Sequence, residues 1–387
     1  MKLSAAVVIM LASIISPINS AAAISDDGKS IVYVGTFKRE SSKGIYAWRM
    51  DSKSGEMDPL GLVADAMRPL FLAVHPNHRF LYVVSRPTAI DRQNVGVVLA
   101  YSIDKKTARL TPLNSFPTRG IDPVYVAVDR TGQNVLVANY GSNSGEGCVT
   151  VFPIKKDGSL AEASDFIKYT GSGVHPQRQV GPHSHAINVS PDNRYVFVAD
   201  LGLDKIFVYH FDPGKGKLTP NDPQFATLHP GAGPRQFVFH PNGKFFYVVN
   251  EIQSTVTSFT YAAGALKEVQ TISTLPPNFT GSSSASTLQV HPNGKFLYAA
   301  NRGGDDIAVF SIDPKAGTLT PVEYVPTRGK TPGSFSIDPS GAWLIAANQS
   351  SDSLVLFRLD PQTGRLTTTG RSFELGTPSC VRFLPLN

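Results

Sequence analysis

Fifty residues separate His185 from Arg235, and 51 separate Glu251 from Arg302. An imidazole and a carboxylate together form an acid–base pair able to move protons near neutral pH. Guanidinium forks suit a carboxylate, a phosphate or the negative charge that builds on a carbonyl oxygen under attack. Arg86, Tyr140 and Gln349 stand at positions equivalent to Glu251 and Arg302, and His183 lies two residues before His185. The set predicts an anion pocket served by an acid–base pair, with His185, Glu251, Arg235 and Arg302 catalytic and His183, Arg86, Gln349 and Tyr140 holding the substrate. Taken singly, Glu251 or Arg302 reads as half of an ordinary salt bridge. It is their convergence that points to chemistry.

That convergence depends on a repeat. An apolar strand, a turn built on Pro or Asp with Asn or Gly, a second apolar strand and a small polar residue recur together. The phrase runs His75–Ser85, Asp129–Asn139, Ser190–Asp200, His240–Asn250, His291–Asn301 and Asp338–Asn348, with starts 54, 61, 50, 51 and 47 residues apart. A second phrase, seen at Asp51–Met57, Asp313–Leu319 and Asp360–Leu366, occurs seven times. The extra copy follows Ile31–Gly35, a second strand without its first. Pro378–Leu384 supplies the missing first strand from the other end of the chain. Four short strands per repeat and a period near fifty predict an all-β, seven-bladed β-propeller, with four antiparallel strands per blade and a ring closed by a blade shared between the termini. Two β-sandwiches would give neither the matched phrases nor a blade split between the ends.

Equivalent positions must lie at equivalent heights around the propeller axis. The opening residue of the innermost strand is Leu70, Val124, Ser286, Gly333 and Ser379 in five blades, but His185 and Arg235 in two neighbours. The residue after each second strand is Arg86, Tyr140, Leu201, Glu251, Arg302 and Gln349, with Thr36 as the nearest counterpart in the shared blade. Antiparallel pairing sets the start of one strand beside the end of the other, so both rows fall at one mouth of the axial channel.

The first 23 residues read differently. Lys2, an apolar run from Leu3 to Ile15 and Ala21-Ala-Ala23 have the pattern of a secretory leader cleaved after Ala23, which predicts a periplasmic or secreted protein with one domain over residues 24–387. The formal charge of +6 falls to +5 without Lys2, and no block of like charges marks a nucleic-acid surface. Cys148 and Cys380 fall on different strand types of different blades, against a disulfide. His75, His240 and His291 read as turn residues, and His210 and His229 as packing or surface. His183 and His185 have a spacing that suits a metal, but no third ligand stands at a comparable position. No metal, cofactor, nucleic-acid or membrane partner is expected, and the chain is expected to act as a monomer.

The stretches Gly181-Pro-His-Ser-His185, Gly231-Ala-Gly-Pro-Arg235, Asn250-Glu251, Asn301-Arg302-Gly303 and Ala346-Ala-Asn-Gln349 resemble signatures of the lactonase seven-bladed propeller family. That family includes propeller-type 6-phosphogluconolactonases and, more distantly, fungal carboxy-muconate lactonizing enzymes. The resemblance runs from about Ile31 to the C-terminus. It implies a site of one His, two Arg and one Glu at His185, Arg235, Glu251 and Arg302. Ser184 and Gln236 depart from the family pattern, which has Pro and His there. The implied activity is metal-independent hydrolysis of a sugar or anionic lactone. His185 or Glu251 would serve as base, and Arg235 and Arg302 would face the carbonyl or an anionic substituent. The alternatives are a muconate-type lactonizing cyclisation and an exported, non-catalytic propeller that binds a ligand or a protein.

Overall fold

A computed structural model describes residues 28–37, 42–86, 95–142 and 145–386. The expected leader, residues 1–23, lies outside these. The described residues form seven four-stranded antiparallel sheets, the predicted propeller. The shared blade holds Pro378–Pro385 innermost, then Lys29–Thr36, Gly44–Asp51 and Met57–Asp65. The ring is closed by pairing across the termini, with Ile31 opposite Leu384 and Val34 opposite Val381.

Second strands such as Phe80–Ser85, Phe245–Asn250 and Trp343–Asn348 are buried along their whole length. A sheet packed on both faces by neighbouring blades excludes water from both, so these strands read as unbroken apolar runs rather than alternating ones. Each fully buried Val, Leu or Phe contributes about 1.5–3 kcal/mol. Outermost strands such as Ala265–Ser273 carry the exposed polar residues.

The turn histidines join blades. Nδ1 of His75, His240 and His291 accepts the amide N–H two residues on. Nε2 donates to the carbonyl of Gly132, Gly294 or Gly341 in the next blade. His210 packs on Tyr195, and His229 lies 3.7 Å from Glu268 at the surface. Cys148 and Cys380 are both free and buried. Among the described residues no helix is long and apolar enough to cross a membrane.

Candidate active site at the mouth of the axial channel

In every blade the pairing of innermost and second strands shifts at the opening residue. Pro69 faces Ser85 and Phe71 faces Val84, which leaves Leu70 unpaired. The same irregularity falls at Val124, His185, Arg235, Ser286, Gly333 and Ser379. A β-bulge bends its strand and re-aims a side chain. Here it turns the openers toward the axis, where all of them except Ser286 line a cavity of about 350 Å³. Ser286 is buried instead and donates to Pro332 O at 2.6 Å.

The second row reaches the cavity from the ends of the second strands. Each blade has a buried polar residue there that anchors the turn. Asn301, for example, donates to Thr274 O and to Asp306 Oδ1, at 2.8 and 2.7 Å. The following residue faces the channel, and Arg86, Tyr140, Glu251, Arg302 and Gln349 all line the cavity. Leu201 is wholly buried. The shared blade requires a correction. Thr36 pairs with Pro378 as Ser85 pairs with Pro69, so it fills the anchor position and donates to Gly44 O at 2.8 Å. Phe37, one residue later, lines the cavity.

His183 also differs from expectation. It is 2% exposed and lies behind Tyr140 rather than on the cavity, its ring stacked on the tyrosine at 4.2 Å between centroids. Its Nδ1 donates to Tyr140 O at 2.9 Å, so it supports Tyr140 instead of meeting a ligand. Asp200 holds this entry to the strand, taking the His183 amide and the Ser184 hydroxyl at 2.9 Å each. The chain passes so close to Gly202 that a Cβ there would sit 1.9 Å from Gly181 O. Among the described residues no three His, Cys, Asp or Glu side chains gather to hold a metal.

Glu251 is the electrostatic centre. Its Oε2 lies 2.8 Å from Arg235 Nε and 2.9 Å from Arg302 Nη2, and its Oε1 pairs with Arg178 Nη2. Burial alone would raise its pKa. Arg302, Arg235, His185 and Arg178 outweigh burial and hold the carboxyl far below the ordinary range. Glu251 is therefore ionised and a very weak base. Burial and the neighbouring Arg302 bring Arg235 down to about 10, which leaves it charged at neutral pH.

His185 is 7% exposed, lines the cavity, and its Nδ1 has no protein partner. Burial, then Arg235, keeps its pKa well below the usual imidazole value, against the pull of Glu251. It is a neutral imidazole on the wall of the cavity. Arg86 is forked onto Asp122, with Nε 2.6 Å from Oδ1. Four guanidinium groups thus face two carboxylates around the cavity, a surplus of two positive charges.

Arg178, Asp122, Phe37, Phe71 and Gln236 line the cavity without having been expected there. Arg178 lies in the connection between the strands Asp165–Lys168 and Ser184–Val189, the longest of the connections between blades. Its only trace in the sequence is the 61-residue spacing between Asp129 and Ser190, the longest of the series.

Residues 31–383 match the family model "Lactonase, 7-bladed beta-propeller". The chain belongs to this lactonase family. It is 39% identical over 309 residues to a 6-phosphogluconolactonase of Bacillus subtilis (strain 168), covering 79% of this chain and 84% of that one. It is 34% identical over 310 residues to a 6-phosphogluconolactonase of Formosa agariphila, covering 79% and 85%. The structure of a periplasmic gluconolactonase of Pseudomonas aeruginosa superposes with a TM-score of 0.87 at 35% identity, covering 93% of this lactonase and 100% of that chain. In this lactonase Gln236 accepts a hydrogen bond from Thr287 at 2.8 Å.

Proposed function

We propose that this lactonase opens a sugar lactone with water, using His185 as base and Arg235 and Arg302 as the oxyanion site. The observation that carries the proposal is the His185 imidazole set on the same cavity as two guanidinium groups fixed by one carboxylate. Glu251, held ionised by three arginines, takes the part of a clamp. It orients Arg235 and Arg302 and offers negative charge to the imidazolium that forms.

Water attacks the lactone carbonyl carbon while His185 takes one of its protons. The carbonyl oxygen becomes an oxyanion facing the guanidinium groups. Collapse of the tetrahedral intermediate breaks the bond to the ring oxygen, and the imidazolium returns its proton to that oxygen. The products are a hydroxyl and a carboxylic acid, with His185 neutral again. Fixed donors at the developing charge and a placed base are the two aids that ester hydrolysis needs. A general base of this kind is worth about 10²–10⁴-fold in rate.

The leader pattern in residues 1–23 and the periplasmic relative support action in the periplasm or outside the cell. The test is hydrolysis of phosphorylated and unphosphorylated sugar lactones, with metal chelated and spontaneous opening subtracted. Turnover lost in His185→Ala and in Glu251→Gln would bear the proposal out. If no lactone opens faster than in buffer, the enzyme reading falls and an exported binding propeller takes its place.

A further inference from the structure

The residue on this site with the least structural reason to be there is Arg178. Glu251 Oε2 is already held by Arg235 and Arg302, which enter from the blades. Arg178 adds a third cation on Oε1, brought by the longest of the connections between blades. The side-chain exposures are graded at 12% for Arg235, 24% for Arg302 and 38% for Arg178. Arg235 therefore lies deepest and Arg178 at the rim of one cavity.

The connection that carries Arg178 is firmly built. Gln179, 1% exposed, donates through Nε2 to Leu201 O at 2.9 Å and to Asp204 Oδ1 at 2.7 Å. Its Oε1 accepts the His175 amide at 2.9 Å, and Gly173 N and His175 O close a backbone loop around it. The carboxylate of Asp204 also takes the amides of Gly231 and Gly233, at 2.7 and 2.8 Å, in the turn that leads into Arg235. One buried carboxylate thus fixes Arg178's support relative to Arg235. A guanidinium held so carefully at a rim, where cations already outnumber carboxylates, is placed to meet an anion entering from solvent.

We infer that Arg178 is the specificity determinant of the site, a subsite for an anionic group at the end of the sugar lactone remote from the scissile ester. The inference rests on the lactonase reading above. In the free protein Arg178 is stored on Glu251 Oε1. A phosphate or carboxylate on the substrate takes over the guanidinium, which leaves Glu251 on Oε2 with Arg235 and Arg302. Oε1 is then a free acceptor facing the cavity, able to hold the attacking water. Binding of the remote anion and placement of water are thereby coupled through one side chain.

The test uses three substrates that differ only at carbon 6: D-glucono-1,5-lactone, its 6-phosphate, and the lactone with a carboxylate in place of the terminal alcohol. Each is assayed with the wild-type chain, Arg178→Gln and Arg178→Lys. The wild type should prefer at least one anionic lactone over the neutral one. Arg178→Gln should cut that preference in kcat/KM by about 10–100-fold, the worth of one hydrogen bond to a charged group. The loss should fall mainly on KM, with Arg178→Lys restoring part of it. Inorganic phosphate should inhibit the wild type competitively and Arg178→Gln more weakly. The phosphate and carboxylate arms tell which anion the subsite takes. Equal kcat/KM for neutral and anionic lactones in the wild type, or a preference that survives Arg178→Gln, would overturn this inference while leaving the hydrolase reading intact. A wild type inactive on all three would instead remove the hydrolase reading.

Discussion

Arg235 and Glu251 meet at 2.8 Å although 16 positions separate them in the chain, one at the bulge that opens an innermost strand and the other just past the end of the strand beside it. Glu251 N donates to Gly233 O at 2.7 Å, so the backbone fixes both ends of the pair. Because the two residues belong to one blade, the oxyanion donor and its clamp move as a unit. Arg302 joins from the next blade, so ring closure matters to the site as well as to stability.

Replacing Glu251 by Gln leaves the partly buried Arg235 and Arg302 without a counter-charge. Breaking a buried pair in this way costs about 3–5 kcal/mol. The variant should unfold at a lower urea concentration by that free energy and lose most of its turnover. Arg235→Met with Glu251→Leu still leaves Arg302 and Arg178 without their carboxylate, so it should recover part of the stability and none of the activity. Urea titrations of the three proteins check the first part and lactone assays the second.

His185 is buried and its ring meets Tyr140 edge-on at 5.8 Å, so its truncation removes packing as well as a base. His185→Ala should still fold, with a modestly lower melting temperature. Its kcat should fall about 10²–10⁴-fold, as expected for loss of a general base, with a smaller change in KM. Calorimetry alongside steady-state kinetics separates the two effects. A large fall in melting temperature together with unaltered kcat would reverse the assignment.

The propeller and most of this rim were legible in the sequence because repetition converts spacing into position. His185, Arg235, Glu251 and Arg302 were found by comparing each blade with its neighbours, and the structure places all four on one cavity. The misplacements have specific causes. Thr36 was set one residue too early because the register shift between Gly35 and Thr36 is a property of pairing and leaves no mark in composition. His183 was expected to hold substrate with His185, which lies two residues on in the chain. The strand begins only at Ser184, and a bulge falls at His185. Arg178 escaped because the repeats were compared at their strands, and it lies in a connection between blades.

The closing strand makes a test of cooperativity. Cys380, Val381 and Leu384 are fully buried, and Arg382 Nε donates to Leu72 O at 3.0 Å in the neighbouring blade. Removing residues 378–387 leaves the strand Lys29–Thr36 as an open edge and uncovers apolar surface on two blades. The truncated chain should lose its cooperative melt by circular dichroism and aggregate. Val381→Asp, which buries an unpaired charge, should lower stability by several kcal/mol without opening the ring. A truncated protein that melts like the wild type would show that the ring does not depend on this strand.

His185 and Glu251 both contribute to the pH dependence of stability, and for both acid is the destabilising direction. Burial and Arg235 keep the His185 imidazole well below its ordinary value of 6.5. An unfolded chain takes up that proton near pH 6.5 while the folded one does not. The unfolded state then binds more protons, so stability declines as pH falls below about 6.5. Despite burial, the arginines around Glu251 hold its carboxyl far below the ordinary 4.5. Its contribution is complete above about pH 4.5 and is lost as pH falls further. Urea midpoints measured from pH 8 to 4 should decline first from about 6.5 and again from about 4.5. His185→Ala should lessen the first decline, which His183 shares through its own lowered pKa, and keep the second, while Glu251→Gln should lessen the second and keep the first. Hydrolysis, which needs the neutral imidazole, should hold its rate through pH 6.5 and fall only in more acidic solution. Equal slopes for wild type and His185→Ala between pH 6.5 and 5 would mean that the folded protein protonates His185 there, and would end its case as the base.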